Sequence, residues 1–335
     1  MRRRSRLTAF FRGRTFLILA LTVAVIVITY FVAPRAFNIA NGKAILLNIS
    51  YLGVVAIGVA CLLMCGGIDF GTSAHATFGM VCFSLMLMRW PHIPWGVIAL
   101  ITIGIGLFAG AINAFLTQVL KLMPFIATIG MTSVWSGLSA WIMFGNVSSI
   151  NRPSFTRLAT TFIGNTPIPV FLLLTIFLLI VYGFMLKWTR FGRSIAMVGG
   201  NPAAARLAGL NPAKVRTVMF LNNGFLGSIA GLMFASQLRM GTPTGFIGMA
   251  PEMSALTGSI LGGVSFAGGS GGLVGAFFGV LLINLLSYSL QAMGTNLWLL
   301  TIINGLLLVT ALTIDGFRNR KLTKGDTMGM PGMSR

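Results

Sequence analysis

The chain alternates long runs of apolar residues with short connectors that are polar, basic or rich in glycine. A helix must supply ~20 mostly apolar residues to cross the hydrocarbon core of a bilayer, and most of the runs reach about this length. They therefore predict membrane-spanning helices and not the buried helices of a soluble core. About ten spans are expected, at residues 15–33, 44–64, 72–88, 95–118, 124–144, 168–186, 215–236, 251–261, 272–291 and 296–314.

The third and eighth segments, residues 72–88 and 251–261, give the weakest signals because they are short and have glycine-rich edges. Such segments survive at membrane depth as half-spanning or re-entrant elements only where protein shields their backbone from lipid. For these two segments a full crossing and a half-spanning or re-entrant element both stay open.

Composition agrees with the pattern. Apolar residues make up 56% of the 335 positions and charged residues 8%, and the mean hydropathy is +0.91, whereas a soluble domain carries about a quarter charged residues. The predicted fold class is an all-α integral membrane protein. It forms a single transmembrane domain over residues 1–335, with a basic N-terminal stretch (1–14), a loop (187–214) and a short tail (315–335) in the cytoplasm.

The net charge of +20 comes from 24 Lys and Arg residues that sit mainly in alternate connectors. The positive-inside rule then predicts that both termini are cytoplasmic. No basic and aromatic stripe lies outside the predicted spans, which argues against a nucleic-acid partner. The first apolar run follows a basic cluster but exceeds the ~7–15 residues of a signal-peptide core, so we expect an uncleaved first span.

The loop 187–214 contains the most informative polar segment. Asn201 is a favoured N-cap residue, Pro202 suits the first helical position, alanines follow, and Gly209 is placed to end the helix. The sequence predicts a short, rigid cytoplasmic helix. Two interpretations remain open at this stage, namely a docking element that enters a groove of another protein and a capped connector with positive-inside charges.

The chain contains few of the ionisable residues from which a catalytic or metal-binding site is usually built. The acidic residues are Asp69, Glu252, Asp315 and Asp326, and the histidines are His75 and His92. Asp69 and His75 are six positions apart and would not share a face of one helix. Neither catalytic nor metal-binding residues are predicted, and the Cys residues lack a pairing or ligand pattern. Since no phosphate-binding Gly-Lys-Ser/Thr loop occurs, any ATP hydrolysis must take place on another chain.

Neutral hydrogen-bonding residues are frequent within the predicted spans. Amides both donate and accept without adding charge, which suits a pathway for an uncharged, hydroxyl-rich solute. Asn in spans is also common as a link between helices, so both interpretations stay open. The candidate pathway residues are Asn48, Asn113, Phe125, Thr128, Thr132, Asn222, Asn223, Asn284 and Asn304. Repeated glycines in the same spans predict close helix packing, and the cluster 268–272 predicts a backbone turn.

Four motifs occur in order along the chain: Gly-Ile-Asp at 67–69, Pro-Phe-Ile-Ala-Thr-Ile-Gly at 124–130, Thr-Arg-Phe-Gly-Arg at 189–193 followed by residues 199–210, and Leu-Gly-Gly-Val-Ser at 261–265 with residues 268–271. With these motifs the chain resembles the transmembrane permease subunit of ribose/xylose/galactose-type ABC sugar importers, over roughly residues 45–315. Residues 70–75 depart from the Leu-Ser continuation that is common in this family. The departure indicates a different solute or the divergent partner of a heterodimer.

The resemblance implies a multi-pass protein of the bacterial inner membrane with several partners. These are an ABC ATPase subunit that binds ATP and magnesium, a second permease chain that is identical or paralogous, a periplasmic solute-binding protein and a sugar-like substrate. This chain itself would hold no cofactor. The helix after Asn201 would be the coupling helix, with the candidate coupling residues Arg193, Gly200, Asn201, Pro202, Ala204, Ala205, Arg206, Leu207 and Gly209. The main alternative is an ATP-independent secondary carrier or facilitator of a small polar solute.

Overall fold

The computed structural model describes residues 14–32, 34, 38–164 and 166–328. Almost all of its regular structure is helical. The helices are α1 (Arg14–Val32), α2 (Ile39–Met64), α3 (Thr72–Arg89), α4 (Trp95–Ala114), α5 (Pro124–Met143), α6 (Pro153–Thr160), α7 (Val170–Trp188), α8 (Arg190–Gly200), α9 (Pro202–Leu207), α10 (Pro212–Leu238), α11 (Gly245–Gly248), α12 (Pro251–Leu261), α13 (Leu273–Ala292) and α14 (Leu297–Met328). A π-helical turn, Phe115–Val119, extends α4.

Six helices within the described residues are long and apolar enough to cross a membrane, namely α2, α4 with its π turn, α5, α7, α10 and α13. Shorter apolar stretches lie within α1 (Ile18–Phe31) and α14 (Trp298–Thr313). These findings confirm the all-α membrane fold. The count of ten crossings and the cytoplasmic placement of both termini stay predictions.

The weak eighth segment has the bounds expected from the sequence. Helix α12 has 11 residues and is about 16 Å long, roughly half of the ~30 Å hydrocarbon core. Most of its residues are buried, including Pro251 and Glu252. Protein therefore shields α12 as a half-spanning helix requires. The third segment forms α3, a largely buried helix of 18 residues.

The centre of the bundle consists of α2 and α10. Every residue of α2 from Ile49 to Met64 is buried, and α10 packs against α2, α3 and α4. Glycine sets the distance between α4 and α10, because a Cβ at Gly224 would lie 2.1 Å from the Gly106 carbonyl oxygen. The close packing predicted from these glycines is confirmed. Gly104, by contrast, has no atom within 4 Å of its Cβ position.

Four features were not anticipated from the sequence. Helix α8 occupies part of the loop 187–214, and α14 continues past residue 314 to Met328, so the expected tail is helical over most of its length. Helix α6 lies within the loop 145–167. Two short strands, β1 (Ser148–Ser149) and β2 (Met240–Gly241), pair antiparallel. The pairing joins segments about 90 positions apart, which local patterns do not reveal.

Candidate functional site

Helix α9 begins with the cap that the sequence predicts. The Asn201 side-chain oxygen accepts hydrogen bonds from the backbone N–H groups of Ala203 and Ala204, both at 3.0 Å. Pro202 occupies the first turn, where its missing N–H removes no intrahelical bond. Gly209 ends the helix with φ of +81°, a conformation that glycine adopts at little cost. The cap and the terminator are confirmed.

The outer face of α9 consists of small residues around one large apolar side chain. Leu207 is 93% exposed, and Ala203, Ala204 and Arg206 are also exposed. Ala205 alone of this helix is buried, against the body of the protein. An exposed leucine on a rigid, small-residue helix suits insertion into a groove on another protein. Of the other candidate coupling residues, Arg193 and Gly200 are exposed and Pro202 is partly buried.

Helix α8 fixes α9 to the bundle. Thr189 caps α8 by accepting a hydrogen bond from the Gly192 N–H at 3.0 Å, and Ile195 and Val198 are fully buried. Asn201 is the only residue between α8 and α9, so the two helices form one corner. The apolar positions 195 and 198, three apart and following a threonine cap, were the available sequence signal for α8.

The segment between α2 and α3, residues 65–71, forms a largely buried turn that we call the α2–α3 turn. The Asp69 carboxylate accepts hydrogen bonds from the Gly71 N–H (2.7 Å) and the Asn113 amide (3.1 Å) through Oδ1, and from the Asn223 amide (3.0 Å) through Oδ2. Asn113 belongs to α4 and Asn223 to α10. Asn223 also donates to the Thr72 hydroxyl at 2.7 Å. One carboxylate thus joins the turn to two long helices.

His75 lies closer to Asp69 than the sequence suggested. Its Nε2 is 3.9 Å from Asp69 Oδ2, and neither side chain is exposed. Asp69 lies in the turn before α3 and not on the helix that carries His75, so their spacing along one helix does not set this distance. The distance exceeds that of a hydrogen bond, and no hydrogen-bond partner of the His75 ring nitrogens occurs among the described residues.

Helix α5 holds the next residue of the turn, Phe70. Its backbone N–H donates to Thr128 Oγ1 at 3.1 Å, and its carbonyl accepts from Thr132 Oγ1 at 3.0 Å. Its ring meets the Phe125 ring edge to face, with centroids 5.3 Å apart. Five candidate pathway residues, namely Asn113, Phe125, Thr128, Thr132 and Asn223, therefore act as contacts of the turn.

A cleft lies against the middle of α2, at Asn48 and Leu52, and is enclosed by α2, α11, α12, α13 and α14. It comprises two adjoining cavities of about 370 Å³ and 270 Å³. Its neutral polar lining consists of Asn48, Ser254, Thr257, Asn284, Ser287, Tyr288, Gln291, Thr301 and Asn304. Three predicted pathway residues meet here, Asn48, Asn284 and Asn304. The ninth candidate, Asn222, instead accepts a hydrogen bond from the Tyr182 hydroxyl of α7.

Part of this lining was missed by the sequence reasoning although a signal existed. Four polar residues of α13 stand at 284, 287, 288 and 291, a spacing that places them on one helical face. Asn284 Oδ1 has no hydrogen-bond partner among the described residues, whereas Asn48 Oδ1 accepts from Tyr51 at 2.9 Å. No Lys, Arg, His, Asp or Glu lines the cleft in the described part of the chain. The arrangement can hydrogen-bond hydroxyl groups without selecting for charge.

Comparison with known proteins identifies the relatives of this chain. A family described as "Branched-chain amino acid transport system / permease component" matches residues 41–312. The chain is 31% identical over 310 residues to the ribose import permease protein RbsC of Escherichia coli K12, covering 89% of this chain and 92% of RbsC. It is 29% identical over 304 residues to the galactose/methyl galactoside import permease protein MglC of Haemophilus influenzae, covering 86% and 90% respectively. No solved structure matches.

The match to the family extends over most of the chain and includes helices α2 to α13, apart from the first two residues of α2. The relatives are matched along nearly their whole length. The chain therefore belongs to the family of ABC importer permease components that includes the ribose and galactose import permeases.

Proposed function

We propose that this chain is the membrane-spanning subunit of an ATP-driven importer of the bacterial inner membrane. In this proposal it forms the translocation pathway for a sugar or a related polyhydroxy solute and docks a separate ATPase subunit. The observation that carries the proposal is the rigid, exposed helix α9 with its Asn201 cap, in a chain that belongs to a family of importer permeases.

The energy source lies on the partner. The chain contains no Gly-Lys-Ser/Thr phosphate-binding loop, so ATP and magnesium belong to the ATPase subunit that α9 contacts. A groove on that subunit would receive Leu207, and Arg206 beside it supplies a positive charge. The complete importer would also contain a second permease chain and a periplasmic binding protein that delivers the solute.

The solute class follows from the cleft. Its side chains are neutral amides and hydroxyls together with apolar residues, and these match the hydroxyl groups of a sugar. An amino acid carries two opposite charges, which a site of this kind would leave without ionic partners. The names of the ribose and galactose permeases agree with a sugar, whereas the name of the family refers to amino acids.

Purification in a mild detergent tests the docking. The tagged chain should recover a P-loop ATPase from its native membrane, and the double variant Asn201→Ala, Arg206→Glu should lose it while inserting normally. Asn38→Ala with Arg157→Glu is the matched control. Asn38 is the N-cap of α2, and Arg157 is exposed on α6. The control variant therefore removes a helix cap and reverses an exposed charge away from α9, and it should keep the ATPase.

Two results would contradict the proposal. Retention of the ATPase by the Asn201 and Arg206 double variant would show that α9 is not the docking element. A chain that purifies alone in several detergents, and still moves solute in liposomes, would favour the secondary carrier.

A further inference from the structure

The end of α8 meets the end of α2 and the loop 262–272 without side chains between them. We call this contact, formed by Met64, Gly199, Gly268 and Gly269, the glycine junction. The Gly269 N–H donates to the Met64 carbonyl at 2.9 Å. A Cβ at Gly199 would lie 1.9 Å from that carbonyl oxygen and 2.6 Å from the Gly269 nitrogen. The backbones of α8, α2 and the loop 262–272 are therefore in direct contact with one another.

The other glycines of the junction are equally confined. Cβ atoms at Gly268 and Gly269 would come within 2.8 Å of the Gly199 oxygen and 2.5 Å of the Gly200 Cα, and both residues have positive φ. Arg216 of α10 binds next to the junction, where its Nε donates a hydrogen bond to the Cys65 carbonyl at 3.3 Å. A contact of this kind transmits displacement, because packed backbone has no side-chain rotamers through which it can yield.

The segments that meet at the junction lead to the cleft. Helix α2 runs from the cleft wall at Asn48 to Met64, about 24 Å at helical rise, and it is buried from Ile49 onward. The loop 262–272 connects α12 to α13, which carry Ser254 and Asn284 of the cleft. The junction thus joins helices that form different walls of the same cleft.

We propose that Gly199 is a positioning residue for transport, through which motion of α9 on the ATPase reaches α2, α12 and α13 and sets the width of the cleft. This inference rests on the proposed function. The mechanical path is α9, the corner at Asn201, the glycine junction and then α2. The α2–α3 turn directly follows Met64 and is bound to α4 and α10 through Asp69, so a displacement of Met64 reaches this turn as well.

The test uses the complex purified with its own ATPase and reconstituted with the binding protein in liposomes. Gly199→Ala should retain the ATPase and hydrolyse ATP, but solute taken up per ATP should fall about tenfold, within the usual range of coupling between sites. Gly183→Ala on α7 is the matched control, since no atom lies within 4 Å of its Cβ position; it should behave as the wild type. Normal uptake per ATP in Gly199→Ala would overturn the inference and leave the proposed docking intact.

Hydrogen exchange on the wild-type complex gives a readout that does not depend on the variant folding. Binding of a non-hydrolysable ATP analogue should change exchange at residues 65–71 together with residues 201–209. Exchange that changes in α9 and stays constant at 65–71 would overturn the inference. A wild-type chain that binds no ATPase would instead overturn the proposed function, and this inference with it.

Discussion

Replacing Asp69 tests the hydrogen-bond network that anchors the α2–α3 turn. In Asp69→Ala the Gly71 N–H and the Asn113 amide lose the acceptor that they share, whereas Asn223 keeps the Thr72 hydroxyl. An unsatisfied buried donor costs about 1–3 kcal/mol. The two donors together therefore predict a loss of about 2–6 kcal/mol in the free energy of unfolding.

The conservative variant Asp69→Asn separates the two carboxylate oxygens. Its remaining oxygen can still accept from Gly71 and Asn113, but its new amide faces the Asn223 amide, donor against donor. We expect a smaller loss of about 1–3 kcal/mol. In an Asn113→Ala background, Asp69→Ala should lower the free energy of unfolding by about 0.5–3 kcal/mol less than it does in the wild type, as is found for residues in one network.

The assay is reversible unfolding in mixed micelles titrated with SDS, followed by tryptophan fluorescence. An Asp69→Ala protein within about 0.5 kcal/mol of the wild type, the usual range for surface substitutions, would refute the reasoning. Simple additivity of Asp69→Ala and Asn113→Ala would equally show that the two side chains do not share a network.

Three further predictions follow from the packing and the surfaces. Gly224→Ala should destabilise the protein by about 1–3 kcal/mol in the same assay through overpacking against Gly106, and Gly104→Ala, whose Cβ would meet open space, should not. Leu207→Glu should abolish ATPase binding in a pull-down with stability unchanged within about 0.5 kcal/mol; retained binding would exclude Leu207 from the interface. Asn304→Asp should slow uptake of a neutral sugar in liposomes at least tenfold while ATPase binding persists, since an unpaired charge in the cleft is costly; unchanged uptake would place the pathway elsewhere.

The helices were largely predictable, because a bilayer demands a long uninterrupted apolar run for each crossing. Even the short α12 was expected at residues 251–261, where the structure has it. Helix α8 was missed because its buried face carries few apolar side chains. Ile195 and Val198 are the largest residues of this face, and the others are two glycines and a serine. Turn chemistry was also readable, since Asn201, Pro202 and Gly209 act within a few residues of one another.

The roles of the membrane Asn residues could not be read from the sequence. Asn113 and Asn223 hold Asp69, whereas Asn284 and Asn304 face the cleft. Which side of a helix faces a neighbour depends on its rotation, and packing of the whole bundle sets that rotation. The proximity of His75 to Asp69 was missed for a related reason, because it depends on the turn between α2 and α3.

ATP-dependent uptake into liposomes tests the central claim most directly. Labelled ribose and galactose would be offered, with leucine as the amino acid comparison, to vesicles that contain this chain with or without its ATPase and binding protein. The account predicts accumulation of a sugar only when the ATPase, the binding protein and ATP are all present. Uptake by the chain alone, driven by an ion or solute gradient, would contradict it.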